Sequence, residues 1–162
     1  MAVARGVVVE AVEQLMDFRR QEGAALEKKF CEKLDNIAAL LASIEPYEVE
    51  RTEKIRERIL DSLQKSLGVE YDKNRFEQEL IFYIEKLDIT EEKVRLAAHC
   101  NYFRQVAATE ADAGRKLGFI TQEMGREINT TGSKANNHDI QVLVVKMKDE
   151  LEKIKEQVLN IL

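Results

Sequence analysis

The sequence predicts an all-α fold of about six helices, and three observations carry that expectation. Hydrophobic residues make up 44% and charged residues 34% of the 162, with one proline and seven glycines, a balance that suits long helices with solvated outer faces. The β-branched and aromatic residues are scattered along the chain and do not gather into short alternating runs, so a sheet is not expected. At both ends of the chain, apolar residues recur at alternating four- and three-residue steps, the spacing that keeps one stripe aimed at a partner helix.

The first helix is expected from about Val8 to Ile44, with Phe30, Leu34, Ile37, Leu41 and Ile44 forming its seam. Pro46 should end it, because proline has no amide hydrogen and disfavours helical geometry in the residue before it. A second helix follows from about Tyr47 to Leu67 on the stripe Ile55, Ile59, Leu63 and Leu67, with Gly68 as its C-terminal cap. Asp72 starts the third, whose inner face is Phe76, Leu80, Tyr83 and Leu87. Thr90 should cap the fourth, with Glu91 and Glu92 in its first turn complementing the helix dipole. A loop is expected from about Val106 to Ala113, then a fifth helix ending near Thr130. After Thr131-Gly132-Ser133-Lys134, a last helix from about Asn137 carries the seam Met147, Leu151, Ile154, Val158 and Ile161. The first and last seams match, so these helices should form a long antiparallel hairpin with the middle helices bundled near its base.

The net charge of −5 excludes a protein that coats nucleic acid indiscriminately; binding to RNA would need a local basic surface. Cys31 and Cys100 lie far apart inside helical patterns, which points to buried reduced thiols. No apolar run approaches the roughly 20 residues of a membrane span, and Val7-Val8-Val9 is too short for a signal-peptide core, so a cytoplasmic setting and no membrane partner are expected.

Chemistry concentrates between Gly114 and Ala135. Leu117, Ile120, Met124 and Ile128 define the buried stripe of the fifth helix, and Glu123 and Glu127 lie one turn apart on its flank with Lys116. Two carboxylates at that spacing can share a divalent cation, or they can be solvated acids paired with nearby bases. On the opposite face lie Arg115, Phe119, Arg126 and Thr130. An aromatic between two guanidinium groups suits either base stacking with phosphate contacts or the anchor of a subunit interface. Gly132 and Ser133 read equally well as a helix stop and the next cap. His99 borders an apolar face near Glu92 and Arg95, in the position of a hydrogen-bonded core residue or of a base. Glu77 falls close to the inward arc of the third helix and so needs a partner, Arg95 or a metal.

Glu77-Gln78-Glu79-Leu80, Arg95-Leu96-Ala97-Ala98-His99 and the segment Gly114 through Lys134 together resemble the C-terminal region of the YicC/YloC-like endoribonuclease family, as does the last helix from Met147 to Ile161. The resemblance runs from about Glu10 to Leu162, so residues 1–162 read as a single helical region similar to the C-terminal half of such a protein, a fragment or shortened form lacking the family's N-terminal domain. One departure is Gly125, where many relatives have Asn. The resemblance implies a cytoplasmic bacterial endoribonuclease that forms homo-oligomers and uses a divalent metal, manganese or magnesium. It implies His99, Glu123 and Glu127 as catalytic residues and Glu77, Glu123 and Glu127 as metal ligands. Arg115, Lys116, Phe119, Arg126, Asn129, Ser133 and Lys134 would contact RNA, and other RNA-decay proteins are further partners.

A rival expectation is a non-catalytic RNA-binding or scaffold subunit that recruits another nuclease; a purely structural coiled-coil adaptor is a third. Tyr102, Phe103 and Phe119, with the paired seams and Val7-Val8-Val9, offer more apolar surface than the chain would easily hide. A homo-oligomer is therefore expected, burying part of the first or fifth helix.

Overall fold

The computed structural model describes residues 2–67 and 73–161, and every regular element among them is a helix. The order is α1 Ala2–Ala42, α2 Glu45–Leu67, α3 Lys73–Leu87, α4 Thr90–Thr109, α5 Gly114–Ala135 and α6 His138–Leu159. The expected caps at Gly68 and Asp72 lie outside the described residues.

The two seams meet. Phe30, Leu34 and Ile37 of α1 and Val144, Met147, Leu151, Ile154 and Val158 of α6 are buried in one core. Asn36 Nδ2 donates to Glu150 Oε2 at 2.9 Å, and Lys33 lies 3.6 Å from the same carboxylate, so the helices run antiparallel with polar contacts along the rim. The middle helices do not all sit at the base of this hairpin. α4 and α5 run beside it and complete a four-helix bundle, because each carries its own stripe: Leu96, Cys100, Phe103 and Val106 on α4, and Leu117, Ile120, Met124 and Ile128 on α5. Phe103, counted among the apolar surface the chain would not easily hide, is fully buried with its ring edge-on to Phe30 at 5.1 Å. The side chains of α1 from Gly6 to Ala25 are all exposed. α2 and α3 form a side hairpin around Ile59, Leu63, Phe76 and Leu80. Tyr83, assigned by periodicity to that inner face, is exposed.

Several boundaries differ from the expectation, each for a local reason. α1 stops at Ala42, and Pro46 occupies the first turn of α2, where a missing amide hydrogen costs nothing. Thr90 is not the cap of α4: Asp88 Oδ1 accepts from the Thr90 amide at 3.0 Å and from its hydroxyl at 2.6 Å. α4 continues to Thr109, so only residues 110–113 connect it to α5, with Asp112 in the left-handed region at φ 55°. α5 runs on to Ala135, through the expected loop. Gly132 does not stop it. A Cβ there would lie 3.1 Å from Val144 Cγ1, so the glycine permits α5 and α6 to approach closely. Asn136 takes the left-handed exit at φ 44°, and Asn137 caps α6 by accepting from the Ile140 amide at 3.0 Å.

A candidate nucleic-acid-facing groove between α4 and α5

At 100° per residue, Lys116, Glu123, Glu127 and Lys134 fall in one column on α5, within an arc of about 40°. Both lysines reach α4. Lys116 Nζ lies 5.4 Å from the Tyr102 ring centroid, and Lys134 Nζ lies 2.6 Å from Glu92 Oε1. These contacts orient the column, so Glu123 and Glu127 lie on the α4-facing flank, each half-buried. On α4, His99 lies between Glu92 and Tyr102 in helical phase and is also half-buried. The short α4–α5 connection puts His99 at the level of the two acids. His99 of α4 and Glu123 and Glu127 of α5 thus lie at one level on facing flanks, between a lysine–tyrosine contact at one end and a lysine–glutamate pair at the other, without gathering into one cluster.

Its outer edge is the face of α5 that carries Arg115, Phe119, Arg126, Asn129 and Ser133, all exposed, with Phe119 59% accessible. Most of the bases are already engaged. Arg126 Nη1 pairs with Glu123 Oε1 at 3.0 Å and Lys116 pairs with Glu110 at 2.5 Å. The Glu110 bond, with a contribution from Tyr102, holds the Lys116 ammonium above its usual range. Ser133 Oγ donates to the Thr130 carbonyl at 3.0 Å. Arg115 has no carboxylate within ion-pair distance among the described residues.

Glu77 does not join this group. It follows Phe76 on α3 and is exposed, turned away from the Phe76–Leu80 stripe, and the Arg95 proposed as its partner pairs with Glu91 one turn away on α4. Among the described residues no three His, Cys, Asp or Glu side chains gather as a ligand set. The Glu123–Glu127 pair remains, and one or two carboxylates completed by water and phosphate oxygens is an ordinary donor set for magnesium or manganese.

Sequence reasoning missed the buried ionic cluster at the closed end of the groove. The Glu92 side chain, read as a dipole partner, is only 5% exposed. Arg51 of α2 is 7% exposed, and its Nη1 donates to the Ala135 carbonyl at 3.1 Å, satisfying the C-terminus of α5. Burial lowers the Arg51 pKa, against the opposing pull of Glu48 and Asp88. Arg51 Nε and Glu92 Oε2 are both buried without a partner. A signal was present: Arg51 and Glu92 each stand one turn before an apolar stripe residue, Ile55 and Leu96, and so lie on the inward arc.

Fold and groove define a helical-bundle domain with an acid–imidazole groove edged by arginine and an exposed aromatic. Residues 44–162 match the family described as Endoribonuclease YicC-like, C-terminal, and the chain belongs to that family. It is 36% identical over 156 residues to a protein of Clostridioides difficile named probable endoribonuclease YicC, covering 95% of this chain and 53% of that one. A Haemophilus influenzae protein of the same name is 31% identical over 163 residues, with 99% and 56% covered. The chain spans about half the length of these curated relatives. No helix among the described residues is long and apolar enough to cross a membrane.

Proposed function

We propose that the chain acts in endonucleolytic cleavage of RNA, with the α4/α5 groove as the reacting site. The observation that carries this reading is the exposed Arg115–Phe119 face of α5 beside the half-buried Glu123 and Glu127, with His99 at their level on α4, in a chain whose relatives are named probable endoribonucleases. Arg115 and Arg126 bind phosphate and Phe119 stacks a base, so that a phosphodiester lies along the groove. Glu123 and Glu127 would hold a divalent cation, manganese or magnesium, which would supply Lewis-acid stabilisation of charge on the phosphoryl oxygens. Arg126 must then exchange Glu123 for phosphate, which frees the carboxylate. His99 takes the proton of the attacking water as the P–O bond to the leaving ribose oxygen breaks, and that oxygen is protonated from solvent.

The test is incubation of the purified chain with end-labelled RNA and manganese, with and without chelator. Metal-dependent internal cleavage that is lost in His99→Asn supports the reading; cleavage unaffected by chelator removes the metal from it. A second reading is a non-catalytic RNA-binding or scaffold subunit, favoured by the Glu123–Arg126 ion pair. It expects salt-sensitive RNA binding without metal and without product.

A further inference from the structure

Away from the groove, a cleft of about 260 Å³ opens where the α2–α3 hairpin meets the C-terminal end of α5. Its floor is apolar, from Ile55 and Ile59 of α2 and Leu87 of α3. Tyr83, 42% exposed, forms one wall. Phe82 stands beside it edge-on at 5.8 Å. The mouth carries Arg58 from α2 and Lys86 from α3. Neither has a carboxylate within 4 Å among the described residues, although Lys116, Arg126 and Lys134 of the groove all do. Glu79, the acid on the rim, is held by Arg75 Nε at 3.5 Å. Asn136, in its left-handed exit from α5, adds an amide at the far edge.

We infer that this cleft is a second RNA-contact site, taking one nucleotide of a single strand with its base against Tyr83 and its phosphate on Arg58 and Lys86. Volume argues for a single planar group: the space falls just below the roughly 300 Å³ at which pockets for larger ligands begin. Charge decides the class of occupant. Arg58 and Lys86, two cations lining an apolar slot without a carboxylate partner among the described residues (Lys86 Nζ lies 6.0 Å from the Phe82 ring centroid), on a molecule of net charge −5, are complementary to a phosphate and not to a neutral helix face. Aromatic rings interleaved with bases form a stacking platform that tolerates any base, so the site contributes grip and little sequence choice. The inference rests on the reading of RNA as substrate. It places a flanking nucleotide on the side hairpin while the scissile phosphate lies in the bundle groove.

The experiment uses the whole chain, a fluorescein-labelled uridylate decamer and chelator, so that binding is read by anisotropy without cleavage. Tyr83→Ala should weaken binding about tenfold, the order of one lost base stack, while Tyr83→Phe and Tyr83→Trp retain it. Arg58→Gln with Lys86→Gln should make the log–log salt slope shallower by about 0.7 for each phosphate released. Unchanged affinity in both variants overturns the site, as does a wild-type chain that fails to bind the decamer. Rescue of Tyr83→Ala by Tyr83→Leu as full as by phenylalanine would mark an apolar protein contact and also overturn it. Cleavage assayed separately with manganese distinguishes the two readings. RNA binding that depends on Tyr83 without any cleavage sinks the nuclease reading and leaves this site standing. Cleavage with kcat/KM indifferent to Tyr83→Ala, at unchanged decamer affinity, sinks the site alone.

Discussion

Breaking the Glu92–Lys134 pair from its two sides should give unequal results. Glu92 is the buried partner, its side chain 5% exposed, while Lys134 is 33% exposed. Lys134→Met keeps the aliphatic stem but strands a carboxylate whose Oε2 already lacks a partner. Removing one member of a fully buried pair costs about 3–5 kcal/mol. Because Lys134 reaches water in part, screening places the expected cost at the lower end, about 3 kcal/mol. Glu92→Gln leaves an amide that still accepts from the lysine, which can turn to solvent; exchanging a charge-assisted bond for a neutral one costs about 1 kcal/mol. Urea unfolding followed by far-UV circular dichroism separates them. With a slope of about 2 kcal/mol per molar, Lys134→Met should move the midpoint by about 1.5 M and Glu92→Gln by about 0.5 M. Equal shifts, or a larger one for Glu92→Gln, would refute the view that the buried carboxylate depends on its lysine.

Gly132→Ala should lower Tm, because its Cβ would press within 3.1 Å of Val144, itself buried, whereas Gly118→Ala meets open space and should stabilise by about 0.5–1 kcal/mol. Burial pushes the Cys100 thiol up to about 11, so iodoacetamide at pH 8 should label it only after unfolding, read by mass spectrometry. The sign follows: the unfolded thiol ionises first, so this group's share of stability falls as pH rises from about 9 to about 11. Asp88→Ala should cost about 1 kcal/mol at pH 7 through loss of its two bonds from Thr90 at the start of α4. The Thr90 hydroxyl and amide hold the Asp88 carboxyl below its ordinary range, so its contribution is present at neutral pH and lost as pH falls through that depressed value. A wild-type-to-variant difference that stays constant down to strongly acid pH would contradict it.

The long-range plan of the bundle was legible because seam spacing is a property of the chain itself: Phe30, Leu34, Ile37 and Met147, Leu151, Ile154 identify mating stripes without any structure. The side of α5 that faces solvent was equally legible, and Phe119 and Arg126 are exposed as its periodicity requires. Helix ends were not, because they turn on groups that periodicity does not weigh. Ile89 and not Thr90 takes the N-cap position of α4, with Asp88 holding the Thr90 amide, and Gly132 serves a close helix crossing that the neighbour Val144 explains. At Gly125, by contrast, an added Cβ would meet Leu151 at an ordinary 3.5 Å. Tertiary partners were the least legible. Glu77 was given a ligand's role from its position near the stripe, yet it is exposed on α3, while Arg51 and Glu92 are buried through contacts between helices far apart in sequence.

The most direct test of the account is cleavage of end-labelled RNA in manganese by the purified chain and by the Glu123→Gln/Glu127→Gln double variant, compared at matched helicity. The account predicts internal cleavage by the wild-type chain, its loss by at least a hundredfold in the double variant, and RNA affinity in chelator that is unchanged or higher, since two negative charges leave the groove. Cleavage that persists undiminished in the double variant would contradict the account.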